Sequence, residues 1–133
     1  MPPPSALRRI LYIDDDPMLQ ALAGIVLGRR GGFTVEGCRD GAAAVAAALA
    51  FAPDLVLLDV NLPGSGGPEI LAALRAEPAL AGLPVIFVTA GVTPEDARRY
   101  TALGAAGVIA KPFDPMTLAD RVRALWEEFG KPV

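Results

Sequence analysis

The sequence has no histidine, one cysteine and one tryptophan, and only 6% of its 133 residues are aromatic. Without an imidazole the chain has no histidine phosphocarrier, general base or zinc ligand, so its chemistry must run on carboxylates, hydroxyls and lysine. A lone Cys38 cannot form an internal disulfide, and its setting in FTVEGC reads as a buried structural thiol in a reducing compartment. Positive charge is also short: 12 Lys and Arg against 15 Asp and Glu give a net charge of −3. The pairs Arg8-Arg9, Arg29-Arg30 and Arg98-Arg99 are scattered rather than gathered into a patch, which argues against direct nucleic-acid binding. No apolar run is long enough to span a membrane, and MPPPSALRR places three prolines where a secretory signal needs an apolar stretch. The expectation is a cytoplasmic protein with no membrane contact, its residues 1–8 forming a short extended tail.

What is abundant is apolar material, 53% of the chain, enough for the core of one domain over residues 9–130. It is arranged as short, almost uninterrupted apolar runs alternating with longer segments of helical spacing. The runs are Ile10 to Ile13, Phe33 to Val35, Leu55 to Leu58, Val85 to Val88 and Val108 to Ala110. Little polar alternation interrupts them, the pattern of strands buried on both faces of a parallel sheet.

Helix signals fill the intervals. Asp16-Pro17 offers an N-cap with proline at the first helical position, followed by Leu19, Leu22 and Val26 and closed by Gly31-Gly32. Asp40 caps a second, alanine-rich helix that ends before Pro53. A third starts near Pro68 and stops by Pro78. Thr93-Pro94-Glu95-Asp96 opens the fourth, which Gly104 ends. Asp114-Pro115 opens the fifth, with Leu118, Val122, Leu125 and Phe129 on one face. Five such strand-helix pairs predict an α/β (βα)₅ fold, an open doubly wound parallel sheet with right-handed crossovers. In such sheets ligands bind beyond the carboxyl ends of the strands.

Those ends carry the chemistry. Asp14, Asp15 and Asp16 follow the first strand, Asp59 the third, Thr89 the fourth and Lys111 the fifth. Converging carboxylates repel one another and do not all stay ionised without a cation. A hard divalent ion such as Mg²⁺ suits them, held by Asp14, Asp15 and Asp59 with the Asn61 backbone carbonyl within reach. An aspartate beside that ion can attack phosphorus and form an acyl phosphate, whose oxygens Lys111 and Thr89 would meet. Singly, each residue has a plainer reading: Asp16 as a helix cap, Thr89 as a strand-end threonine, Lys111 as a surface lysine, Asn61 as part of a turn. Together, at matched strand ends, they point to one site.

ILYIDDDP, PDLVLLDVNLPGSGG, VIFVTA and GAAGVIAKPFDP stand in an order and at distances that resemble the CheY-like receiver domains of bacterial two-component response regulators. The resemblance runs from about Arg9 to Phe129. It implies a flavodoxin-like sheet of strand order 2-1-3-4-5 in which Asp59 is the phosphoacceptor, served by a phosphohistidine on a sensor histidine kinase or histidine phosphotransfer protein. Asp14 and Asp15 match the acidic pair that binds Mg²⁺, directly or through water, and Asn61 the backbone-carbonyl ligand. Thr89 matches the switch hydroxyl and Lys111 the lysine that pairs with the phosphoryl group. Ala90 matches the small residue that leaves the group accessible, and Lys111-Pro112 a bond that is typically cis. The downstream partner is another, unspecified protein, and the chain is expected as a monomer or weak homodimer.

Two positions depart from the family. Ser65-Gly66-Gly67 replaces the usual Met-Asp-Gly beside Asp59, a change that bears on partner contacts or loop mobility. Val108 stands where the family usually has Tyr or Phe, so the propagation of a signal through the fifth strand is what it puts in question. The alternative is a receiver-like docking module with little phosphorylation-dependent switching. An aspartate-based phosphatase would need a second acid two residues after Asp59, where Asn61 stands. A flavodoxin-type flavin domain shares the fold, but the carboxylates would repel the flavin phosphate.

Overall fold

The computed structural model describes residues 7–62, 64, 66–90 and 92–129. Five parallel strands, β1 (Arg9–Ile13), β2 (Thr34–Cys38), β3 (Leu55–Asp59), β4 (Val85–Ala90) and β5 (Gly107–Lys111), form one sheet in the order β2-β1-β3-β4-β5. The helices are α1 (Pro17–Ile25), α2 (Ala44–Phe51), α3 (Gly67–Ala76), α4 (Pro94–Ala102) and α5 (Leu118–Phe129). This is the (βα)₅ doubly wound architecture and strand order expected from the sequence. Residues 1–6 of the expected tail, residue 130 at the expected domain end and Ser65 of the departing loop lie outside the described residues. Leu7 is buried, and the Arg8 N–H bonds Asp54 Oδ2 at 2.9 Å, so chain packing is in place from Leu7 onward.

The sheet separates two apolar layers. Because side chains alternate across a strand, Leu11, Ile13, Val56, Leu58, Val85 and Phe87 face the layer covered by α2, α3 and Tyr100 of α4. Ile10, Tyr12, Leu55, Leu57, Ile86 and Val88 face the layer made with α1 and α5. Burial on both faces holds for β1, β3 and β4 but fails at the edges. In β2 only Cys38 is buried, and in β5 only Ile109. The correction has a topological cause, since an outer strand has one sheet neighbour and incomplete helix cover.

The helix signals translate with local changes. Asp16 Oδ1 accepts from the N–H groups of Met18 and Leu19, and Thr93 with Asp96 forms a reciprocal capping box on α4. After Ile25 the first helix continues as a wider π turn over Val26–Arg30, in which the Leu27 carbonyl takes the N–H of both Gly31 and Phe33. Asp40 caps a 3₁₀ turn, Gly41–Ala43, that leads into α2. Asp114 likewise caps a turn, accepting from Met116, and regular α5 begins only at Leu118. Gly104, with φ of 107°, turns the chain from α4 toward β5. The Lys111-Pro112 bond is cis.

Central and edge strands carry unequal shares of the stability. Leu58→Ala, in a fully buried position of β3, is expected to cost about 2–5 kcal/mol. Glu36→Ala, exposed on β2, should stay within about 0.5 kcal/mol of the parent. Urea denaturation of the two variants measures both; equal losses would contradict the assignment of the core.

Candidate functional site

The register of the sheet sets the site. Ile13 pairs with Leu58, and Asp59 pairs with Val88, so Asp14 and Asp59 leave adjacent strands at nearly the same level. On the far side Ala90 pairs with Lys111. Lys111 then reaches back across the strand ends. Its Nζ lies 2.9 Å from Asp14 Oδ2 and 3.4 Å from Asp59 Oδ2.

Asp14, Asp15 and Asp59 each bring one carboxylate oxygen into a group whose members lie within 4.8 Å of one another. Asp14 is fully buried and Asp59 nearly so, whereas Asp15 is exposed, which gives the cluster a closed base and an open mouth. The fourth acid, Asp16, is turned away as the α1 cap. Asn61 is exposed, and its N–H donates to Asp59 Oδ1 at 3.1 Å. The arrangement therefore brings together Asp14, Asp15, Asp59, Asn61 and Lys111. Thr89 is buried at the end of β4, but its hydroxyl donates to the Ala90 carbonyl at 3.3 Å instead of contacting Asp59.

Burial and the neighbouring charges together set the electrostatics of the cluster. Burial pushes the Asp59 carboxyl up; the Asn61 N–H pulls it down, Asp14 pushes it up and Lys111 pulls it down, and the balance stays above the ordinary aspartate value. For Lys111, burial pulls the ammonium down. Asp14 and then Asp59 together outweigh it, so its pKa ends above the ordinary lysine value. A single ammonium thus answers a group of three carboxylates.

Two residues that the sequence reading passed over hold the base of the site. The Tyr12 hydroxyl, in the core layer under α1, donates to Asp14 Oδ2 at 2.6 Å. Burial first, then the bond to Asp14 and the surrounding carboxylates, push this phenol far above its ordinary value, so it is a fixed donor. Period two along a strand puts residues 12 and 14 on one face, which is the signal that could have found the pair. Gln20 of α1 clamps the backbone: its Nε2 donates to the carbonyls of Asp14 at 2.7 Å and Cys38 at 2.8 Å. Its side chain lies so close over Gly37 that a Cβ there would sit 2.1 Å from Gln20 Oε1. Glycine at 37 is what lets the clamp close.

Comparison with known proteins agrees with this geometry. Residues 10–123 match the response regulator receiver domain family. The DNA-binding response regulator MtrA of Mycolicibacterium smegmatis is 41% identical over 117 residues, covering 88% of this chain and 50% of MtrA. The DNA-binding dual master transcriptional regulator RpaA of Synechocystis is 38% identical, with 88% of this chain and 48% of RpaA covered. The chain thus spans about half the length of these curated relatives. Among solved structures, the chemotaxis response regulator CheY4 of Vibrio cholerae superposes with a TM-score of 0.81 at 29% identity, over 90% of this chain and 99% of CheY4. With strand order, acidic cluster and lysine all in place, the chain belongs to the response regulator receiver domain family.

Proposed function

We propose that this domain is a phosphoacceptor: Asp59 takes a phosphoryl group from a phosphohistidine on a partner protein, and the modified domain changes its protein contacts. The observation that carries the reading is Lys111 lying between Asp14 and Asp59 in the acidic cluster. In the transfer an Asp59 carboxylate oxygen forms the new P–O bond as the P–N bond to the donor imidazole breaks, the electron pair returning to that nitrogen. Lys111 follows the charge onto the phosphoryl oxygens. Thr89 stands one residue beyond the level of Asp59, and its hydroxyl, now donating to the Ala90 carbonyl, is the one that would turn to the phosphoryl group. Ala90 is exposed and small, leaving the approach open.

The donor set fits Mg²⁺: hard oxygens from Asp14, Asp15 and Asp59, too few to enclose an ion without water or phosphate oxygens, and the Asn61 carbonyl would be a further ligand. When bound, Mg²⁺ neutralises the carboxylates and the transferring phosphoryl oxygens. No helix among the described residues is long and apolar enough to cross a membrane, and the net charge of −3 gives no basic footprint for DNA. For a protein donor, α1 offers exposed Met18, Leu22 and Ile25 on one face, starting just after the acidic run.

Signal output is the open step, and the buried edge-to-face pair of Phe87 and Tyr100, with ring centroids 4.9 Å apart, bears on it. Val108 pairs with Phe87 across β4 and β5 and packs on the same cluster. The ring absent at Val108 is therefore supplied to this layer by Tyr100 from α4. We assign the α4 and β5 region as the responding surface. Val108 itself is what favours the second reading, a docking module that does not switch.

Three outcomes are expected. A small acyl-phosphate donor should add one phosphoryl group, seen by intact mass, only when Mg²⁺ is present and not in Asp59→Asn; no adduct would sink the phosphoacceptor reading. On phosphorylation, amide hydrogen exchange should change over residues 92–112, and an adduct with unaltered exchange there would leave the docking module standing. The third concerns stability. A carboxyl whose folded pKa lies above its ordinary 3.8 loses stability as pH rises through the window between the two values. Asp59→Asn removes that loss, so at neutral pH it should melt no lower than the parent, and any advantage should shrink below the ordinary aspartate range. Thermal melts across pH read the sign.

A further inference from the structure

Tyr12 is the one phenol in the site, and its contacts give Asp14 an unusual inventory of donors. Asp14 Oδ1 accepts the Asp16 N–H at 2.9 Å, while Oδ2 accepts both the Tyr12 hydroxyl at 2.6 Å and the Lys111 ammonium at 2.9 Å. The carboxylate is fully buried, so losing one of these donors is costly. Yet Lys111 is the group that the phosphoryl on Asp59 must attract. If Lys111 were the sole donor to Oδ2, its departure would strand a buried anionic oxygen, and the lysine would be held back by that cost.

We propose that Tyr12 is a positioning residue for phosphoryl transfer: its hydroxyl holds Asp14 Oδ2 so that Lys111 is free to move from Asp14 to the phosphoryl group on Asp59. The assignment rests on the phosphoacceptor reading. Geometry supports the division of labour. Tyr12 is locked, its ring buried in the core layer beneath α1 and its position two residues before Asp14 on the same strand face. Lys111 instead ends an edge strand, keeps 16% of its side chain exposed and is already shared between two acids. Tyr12 thereby takes no part in bond making; it sets how readily the lysine changes partner.

The test compares wild type with Tyr12→Phe, which fills the same space and loses only the hydroxyl. Calorimetry gives the affinity for Mg²⁺ alone. Fluorine NMR gives the affinity for beryllofluoride, a mimic of the phosphoryl group, at saturating Mg²⁺. The ammonium resonances of the two lysines, Lys111 and Lys131, are followed in ¹⁵N spectra. In Tyr12→Phe beryllofluoride binding should weaken roughly three- to tenfold more than Mg²⁺ binding changes, the range of one hydrogen bond to a charged group partly lost between two states. Equal beryllofluoride affinity in the two proteins, or a parallel loss of Mg²⁺ and beryllofluoride binding, overturns the assignment. In wild type the Lys111 resonance should shift with beryllofluoride while the downfield Tyr12 hydroxyl proton persists, a measurement that stands even if the variant melts early; disappearance of that proton overturns the assignment as well. A wild type that binds no beryllofluoride fails in a separate arm, and there it is the phosphoacceptor reading that falls, with this one after it.

Discussion

Three carboxylates within 4.8 Å of one another and one lysine between two of them form the constraint on which the rest of this molecule turns. Buried like charges are unfavourable, and the fold tolerates them only because the backbone leaves no alternative. Asp14 and Asp59 terminate neighbouring central strands whose register is fixed by apolar residues on both faces, so neither can retreat to solvent. Lys111 offsets the repulsion in part. The remaining deficit of positive charge suits the divalent cation proposed for the site, and repulsion from Asp14 adds to burial, the larger cause, in raising the pKa of Asp59. Receptivity and instability are here two descriptions of one charge arrangement.

Rigidity is distributed to suit. On the acid side Asp14 is pinned by Tyr12 and the Asp16 N–H, its backbone by Gln20, and Asp16 by its own role as helix cap. On the lysine side the support is thinner. β5 is an edge strand with only Ile109 fully covered, and its neighbour α4 buries little beyond Tyr100. Segments with fewer buried contacts open and shift at lower cost, so a charge change at Lys111 is most easily expressed through β5 and α4. The wide turn at Val26–Arg30 lies at the opposite end of α1 from the acids and is not part of this path.

The sequence made the architecture and the acid positions readable because both rest on local rules. Uninterrupted apolar runs announced the strands, cap residues announced the helices, and strand ends in a parallel sheet converge by topology. What it hid were relations that depend on distance in space. The runs at Phe33 to Val35 and Val108 to Ala110 look as apolar as the central ones, yet edge position is set by strand order and not by composition, so the burial expected there was too high. Asp114-Pro115 resembles a helix start, but it closes a turn first and α5 begins at Leu118. Gln20 and Gly37 are individually unremarkable; only packing of α1 across β2 makes the glycine a requirement of the amide clamp.

Val108 has one meaning along the chain and another in space. Taken along the chain, a valine in place of an aromatic removes a ring from the fifth strand. Taken in space, the same layer contains Phe87 directly opposite Val108 and Tyr100 against Phe87, so a pair of rings already fills the region between β4 and α4. A small β-branched residue is then what fits beside them, because an additional ring would have to displace one of the two or point to solvent. On this view, movement of α4 relative to β4 would carry Tyr100 with it and change the cover over Val108. On the proposed reading, the output surface depends on the way three residues share one volume and not on any single position in the sequence.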